Sequence, residues 1–294
     1  MRYLIINADD YGLCADTNKA VEEIFNHGVL SSATIMAPCP GAYDGVARAL
    51  ANPKMNIGMH ITTTSEWQWK WGPVSPKSDV PSLVNWKGVF DSRGHLYSTA
   101  QDFAKHAVNS EVTAEMEAQY KYLTCTGLKL THADSHMGSV YGLGGRSFMK
   151  ETLEFCAKYK LPFRFPRSLS SIKEVVGIPH PPPELITMHE QALAYADALG
   201  VKLIDHLRTC TVRYSELTSY EKLKENYFGL ISSLQEGVSE IFMHPSLGSS
   251  QFGADNPRWQ ARIWEHRLLL DDDLKAHIEK EKIVLTTYQD APAL

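Results

Sequence analysis

Cysteine is scarce in this 294-residue chain, and the five present, Cys14, Cys39, Cys125, Cys156 and Cys210, are odd in number and scattered. Their spacing excludes a disulfide framework and a thiolate zinc ribbon. No apolar run approaches the roughly 18–20 residues that span a bilayer, so no membrane segment is expected. An excess of one charge is also missing. Lys and Arg total 29 against 34 Asp and Glu, a formal net charge of -5, and no basic patch stands out, which argues against a nucleic-acid partner. Internal repeats and low-complexity tracts are absent, and Pro181-Pro182-Pro183 after His180 reads as a rigid surface connection. The opening apolar run, Met1 to Asn7, meets Asp9 and Asp10 almost at once, with no cleavage site behind a proper apolar region. It reads as a first strand rather than a signal peptide, and with the scattered cysteines it points to a reducing cytoplasm.

What is present is the composition of a soluble globular protein, 44% hydrophobic and 21% charged, with length for one large α/β barrel or two ordinary domains. Short apolar runs alternate with amphipathic ones. Strands are expected at Tyr3–Asn7, Ser31–Met36, Asn56–Ile61, Lys129–Asp134, Pro162–Phe165, Val201–Asp205, Glu240–His244 and Ile283–Thr287. Helices are expected from Asp16, as N-cap, to His27 with Gly28 as the stop, and over Ala42–Ala51, Glu111–Thr126, Ser147–Lys158, Ile186–Leu199, Thr218–Gln235 and Pro257–Lys280. The β-α rhythm predicts a parallel sheet, and eight units suit a closed, TIM-barrel-like (β/α) barrel over 1–294 as a single domain, with an open doubly wound sheet as the alternative. One stretch, 62–110, interrupts the rhythm without clear helix or strand. It holds Trp67, Trp69, Trp71 and Trp86, and reads as a loop insertion forming a lid or wall.

The twelve histidines direct any metal chemistry toward imidazole and carboxylate. Polar clusters fall at the C-terminal ends of the expected strands: Asn7-Ala8-Asp9-Asp10-Tyr11-Gly12, Gly58-Met59-His60, Thr131-His132-Ala133-Asp134-Ser135-His136, Arg164, Asp205-His206 and Met243-His244-Pro245. In α/β folds that rim is where loops converge on one crevice. Each piece has a plainer reading: paired aspartates make turns or caps, and a lone histidine is commonly a core residue. His132, Asp134 and His136 alternate, so an extended strand would turn them to one side, where they could converge on an ion. Trp67, Trp69 and Trp71 alternate too, and serve either as lid core or as a flat face for a sugar ring. Asp271-Asp272-Asp273 reads as a solvated helix segment. Gly142-Leu143-Gly144-Gly145-Arg146, ahead of a helix, is the one candidate for a phosphate cradle.

In this order and at these separations, Asn7-Ala8-Asp9-Asp10-Tyr11-Gly12, Gly58-Met59-His60, Thr131-His132-Ala133-Asp134-Ser135-His136 and His244-Pro245 resemble the YdjC-like chitooligosaccharide deacetylases. Gly28-Val29-Leu30-Ser31-Ser32-Ala33-Thr34 and Arg164-Phe165-Pro166 are similar to the same family. The resemblance implies a distorted (β/α) barrel and metal-dependent removal of N-acetyl groups from amino sugars. Carried over by position, it makes Asp10, His60 and His136 the metal ligands, Asp9 the catalytic base, His244 the general acid and Arg164 an orienting group that keeps Asp9 ionised. Trp67, Trp69, Trp71, His132 and Asp134 are candidates for substrate contact. Tyr11 stands where the family usually has phenylalanine, and Met137 where it usually has a second histidine.

Such a centre fits the reaction, because an acetamide needs an activated water, relief of oxyanion charge and a proton for the leaving amine. Two imidazoles and one carboxylate point to one divalent ion, zinc or magnesium, with manganese, cobalt and nickel also compatible. The expected partner is a small carbohydrate, and a homodimer is compatible although no interface signature stands out. The competing readings are another metal-dependent barrel hydrolase or phosphoesterase on the same Asp/His centre, and a carbohydrate-binding protein without catalysis.

Overall fold

The first strand organises the rest of the chain. In β1 (Arg2–Tyr11) every residue from Leu4 onward is buried, as expected of a strand covered on both faces. The computed structural model describes residues 1–66, 69–87, 94–248 and 257–292. After β1 come α1 (Ala15–His27), β2 (Ser32–Ile35), α2 (Ala42–Ala51), β3 (Ile57–Ile61), β4 (Val84–Asn85), β5 (His95–Leu96), α3 (Ala100–His106), α4 (Asn109–Thr124), β6 (Ala133–Ser135) and α5 (Met149–Tyr159). The second half holds α6 (Leu169–Val176), α7 (Pro183–Leu199), β7 (His206–Arg208), α8 (Tyr220–Ser232), β8 (Gly237–Met243), α9 (Pro257–Leu269), α10 (Asp272–Lys280) and β9 (Val284–Leu285).

The main sheet is parallel, in the order β6-β3-β2-β1-β8-β7. Beyond β6, Ala133 bridges Phe163 and Phe163 bridges Leu203, just ahead of β7, so the sheet curls until its two edges meet through one residue. This arrangement is compatible with a barrel. The expected strand Pro162–Phe165 is thus reduced to a single bridging residue, Phe163. Ile283–Thr287, expected as an eighth equal strand, yields only β9. β8 takes one whole edge of β1 from Arg2 to Ala8, so β9 is left to share the other edge with β2, pairing Tyr3 and Leu4 below Asn7 and Ala8.

Other expectations are corrected by local chemistry. The stretch 62–110 is not free of regular structure: it holds the antiparallel pair β4 and β5, and α3, capped by the Thr99 hydroxyl. The helix expected over Pro257–Lys280 breaks in two because Asp271 caps α10, accepting the Asp273 N–H, while Tyr220 and Lys224 hold the same carboxylate. Asp271 is therefore an anchored cap rather than a solvated helix residue. α6 was not expected, and α7 starts at Pro183, which needs no N–H partner in the first turn. Asp16 lies inside the first turn of α1, with Cys14 at the cap position.

Strand alternation divides the side chains. Leu4 and Ile6 join Leu223, Ile231, Leu268 and Leu274 under the outer helices, whereas Ile5 packs with Ile204, Val238 and Tyr288 inside the curl. Above that apolar floor the interior is polar. Ser32 donates to Asn7 Oδ1 at 2.6 Å, and the His132 ring lies 3.2 Å from the same oxygen through Nε2 and stacks on Tyr288 at 4.1 Å. Room for that ring depends on Gly58, where a Cβ would come within 2.5–2.7 Å of three His132 ring atoms. Gly58→Ala is therefore expected to cost about 1–3 kcal/mol in denaturant unfolding. In a His132→Ala background the penalty should shrink by about 1 kcal/mol or more; additivity within about 0.5 kcal/mol would show that the ring is not the obstacle.

Candidate functional site

Two consecutive aspartates on a regular strand would face opposite sides of the sheet. Here the register slips: Ala8 pairs with Ala33 but Tyr11 with Ile35, and Asp10 takes a left-handed φ of 62°. This irregularity swings Asp10 round, so that Asp9 and Asp10 line the same cavity of about 390 Å³, rather than pointing apart. Left-handed backbone costs an L-residue about 1–2 kcal/mol, less for Asp, and such strain gathers at functional sites. Met137, beside His136, has a similar φ of 52° and lines the same cavity.

Asp10, His60 and His136, all buried, offer ligand atoms that lie within 4.8 Å of one another. Asp10 Oδ1 stands 3.4 Å from His60 Nε2 and 3.3 Å from His136 Nδ1, and has no hydrogen-bond partner although it is shut off from water. A buried carboxylate oxygen left open between two imidazoles suits a cation. The other Asp10 oxygen is held by Arg262 of α9 at 2.6 Å. Burial works against charge on Asp10, but Arg262, His136 and His60 hold its carboxyl well below the usual range. His60 is aimed from behind: its Nδ1 lies 2.6 Å from Asp134 Oδ1, and Thr34 donates to Asp134 Oδ2 at 2.8 Å. Although burial opposes a charge on His60, Asp134, Asp10 and Asp9 lift it to about 10. That field favours any cation at this point, a proton or a metal ion. The donor set, one carboxylate and two imidazoles, fits a divalent metal with coordination positions to spare. A second cluster, Asp9, His60 and Asp134, is equally close. Its carboxylates already face Arg164 and His60, so it is an ion-pair network.

Arg164 is the centre of that network. It grips Asp9 with both terminal nitrogens at 2.6 and 2.7 Å, reaches Glu240 Oε1 through Nε at 2.7 Å, and passes Asp134 Oδ2 at 2.8 Å. Asn7 Nδ2 also donates to Asp9 Oδ1, which leaves Oδ2 the less occupied oxygen. Burial opposes the Asp134 charge, yet Arg164 and His60 hold its carboxyl at about 2. Glu240 has the opposite fate: burial lifts it to about 7 despite Arg164, and the Tyr288 hydroxyl donates to its other oxygen.

His244 follows β8, half-buried on the cavity wall, with its N–H held by Glu265 at 2.7 Å and its ring edge-on to Phe242. The remaining expected residues fall elsewhere. His132 and Asp134 are fully buried beneath the cavity, engaged with Asn7 and Thr131 or with His60, Thr34 and Arg164, so neither is placed to touch a sugar. Trp71 is core: buried, donating to the Thr64 carbonyl and tilted against His136. Trp69 packs edge-on to Trp259, and Trp67 lies outside the described residues. The Gly142–Arg146 turn is no phosphate cradle. Arg146 binds the Ala107 carbonyl and Asn109, and Gly144 admits the Ala100 carbonyl, which a Cβ would meet at 2.2 Å. Sequence reasoning missed Arg262 and Glu66, whose carboxylate lies 3.6 Å from His136 Nε2, because nothing local ties them to the strand ends. It also passed over Glu240, although Glu240, Phe242 and His244 share the period-two pattern that exposed the other clusters.

A family model described as YdjC-like protein matches residues 3–280. The chain is 28% identical to a carbohydrate deacetylase of Thermoanaerobacter pseudethanolicus over 98% of both chains. It is 35% identical to a chitooligosaccharide deacetylase of Yersinia enterocolitica over 46% of this chain and 49% of that one. Among solved structures it resembles a putative cellobiose-phosphate cleavage protein of Enterococcus faecalis, with a TM-score of 0.76, 25% identity and 98% of both chains covered.

The polar layer under the site makes a prediction about acid. Burial pushes the His132 imidazole down to about 3, well below the ordinary histidine value of 6.5. The folded state therefore rejects a proton that the unfolded chain accepts, so this contribution to stability is complete above pH 6.5 and is lost as pH falls toward 3. Denaturant unfolding of wild type and His132→Asn across that range should show a shallower acid loss in the variant. Parallel curves would mean that His132 is not the acid-sensitive group.

Proposed function

The chain belongs to the YdjC-like family, and from that premise we propose that it is a metal-dependent hydrolase removing N-acetyl groups from amino sugars or N-acetylated oligosaccharides. The proposed scaffold is one distorted (β/α) barrel over the whole chain, with 62–110 as its insertion. The carrying observation is the unpartnered, buried Asp10 Oδ1 between His60 and His136, next to an Asp9 held by Arg164 and open to the same cavity.

In this reading Asp10, His60 and His136 hold one divalent ion, which when bound lowers the pKa of water and takes up negative charge from an amide oxygen. Asp9 is the base. The Arg164 fork fixes it, and Oδ2 is the oxygen that accepts the water proton. His244, on the cavity wall, gives its proton to the departing nitrogen, so that the amine leaves neutral. Asp134 fixes the His60 ring from behind, and Arg262 restrains the second oxygen of Asp10; both are positioning residues. The five unpaired cysteines support a cytoplasmic location.

Acetate release from N-acetylated mono- and oligosaccharides across a panel of divalent ions tests the reading. Turnover is expected to vanish on chelation and to return with zinc or magnesium. Asp9→Asn should lower turnover by about 10²–10⁴-fold, with metal stoichiometry by elemental analysis unchanged. An active Asp9→Asn enzyme would remove Asp9 from the base role, and phosphate release in place of acetate would replace the reaction class.

A further inference from the structure

The cavity that holds the Asp/His cluster is larger and greasier than an acetyl group requires. Its volume is about 390 Å³, and away from the cluster its wall is built from Phe165, Ile172, Val176, Leu185, Met188 and Ala192. These come from α6 and the first half of α7, with the loop leading into them. Ile172, Val176, Leu185 and Ala192 are only partly buried and Met188 is 42% exposed, whereas Phe165, like Leu153 and Phe155 of α5, is buried. Phe165, Ile172 and Ala192 also touch the core, but Val176, Leu185 and Met188 face the void, and apolar side chains that line a void favour an apolar occupant.

The polar groups on that wall are already engaged. The Ser171 hydroxyl accepts the Leu207 N–H at 3.1 Å, His189 Nε2 donates to the Pro166 carbonyl at 2.9 Å, and the Tyr141 hydroxyl donates to the Arg164 carbonyl at 2.7 Å. Sugar hydroxyls placed there would find few partners. The opposite character lies at the Asp/His cluster, where Glu66, beside His136, and His244, Arg258 and Arg262 line the same cavity. An amide at the cluster has two arms, an amine arm that His244 protonates and an acyl arm directed away from it. The polar wall suits the amino sugar, and the α6–α7 wall suits the acyl arm.

We infer that the substrate range extends beyond acetyl to amino sugars whose N-acyl group is a medium aliphatic chain, with that chain seated against α6 and α7. The inference rests on the hydrolase reading above. The reaction keeps the same balance: the water oxygen bonds to the carbonyl carbon, the carbon–nitrogen bond breaks, the acyl chain leaves as a carboxylate and the nitrogen gains the proton.

The test is a series of N-acyl glucosamines from acetyl to octanoyl, read as kcat/KM for glucosamine release. Calorimetric titration of the free carboxylates, acetate to octanoate, into the same metal-loaded enzyme gives a readout independent of turnover. Both quantities are expected to rise by about fourfold per methylene over the first few added carbons. Ala192→Phe and Val176→Phe, which fill the chamber from different helices, should each collapse the octanoyl-to-acetyl ratio; as a ratio within one preparation, it cancels any loss of folded protein. Hydrolysis of N-acetylglucosamine with no gain from longer chains in either readout would overturn the inference and leave the deacetylase reading standing. Tighter binding of octanoate with no hydrolysis of any N-acyl sugar would overturn the hydrolase reading, and the acyl assignment with it.

Discussion

The guanidinium of Arg164 is the constraint around which the site is arranged. It is buried and faces three carboxylates, Asp9, Asp134 and Glu240, that arrive from β1, β6 and β8. Removing one partner of a buried ion pair typically costs about 3–5 kcal/mol. Because Arg164 follows the single-residue bridge at Phe163, its contacts also hold together the part of the curl where the backbone ladder is weakest. Charge pairing takes over where strand pairing is thin.

That network sorts the acids by task. Asp134, saturated by Arg164, His60 and Thr34, is locked in the role of aiming an imidazole. Asp9, held by Arg164 at both oxygens, lines the cavity, where the proposed base role requires it. Glu240, lifted to about 7, gains least from Arg164, and the Tyr288 hydroxyl occupies its remaining oxygen. Asp10 stands outside the network, reached instead by Arg262, and keeps one oxygen without a partner. Four nearby carboxylates of similar chemistry are thus separated by their neighbours alone.

Much of this was legible in the sequence because strands carry their chemistry in a two-residue period. Asn7 and Asp9, Gly58 and His60, and His132 and Asp134 are spaced as residues on one strand face must be, and the structure stacks them inside one curl. The pattern could not tell height within the curl. His132 and Asp134 looked as available as His136, yet they lie a layer below it. Nor could it show that a bulge turns Asp10 to the same side as Asp9, since that irregularity is a matter of register between β1 and β2. Arg262, 252 residues from Asp10, reaches the site from a helix whose own sequence repeats no rim motif. The tryptophans misled for a related reason: alternation fixes a common side but not whether that side faces the cavity or the core, and Trp71 faces the core.

The weak fifth position of the sheet also explains why the cavity has two characters. A full strand at Pro162–Phe165 would pair along its length and feed directly into a covering helix. Reduced to one bridging residue, the chain instead turns at Phe165 and Pro166 and runs through α6 and α7 before returning at Leu203. Those helices are mounted on a short ladder, and their apolar residues are shared: Ile172, Ala192 and Ala196 pack on or in the core, while Val176, Leu185 and Met188 line the cavity. The charged centre and the apolar wall beside it are therefore consequences of the same local choice. The short ladder leaves Arg164 free to bind acids from three strands, and it frees the following segment to build a chamber that a longer strand would not have allowed.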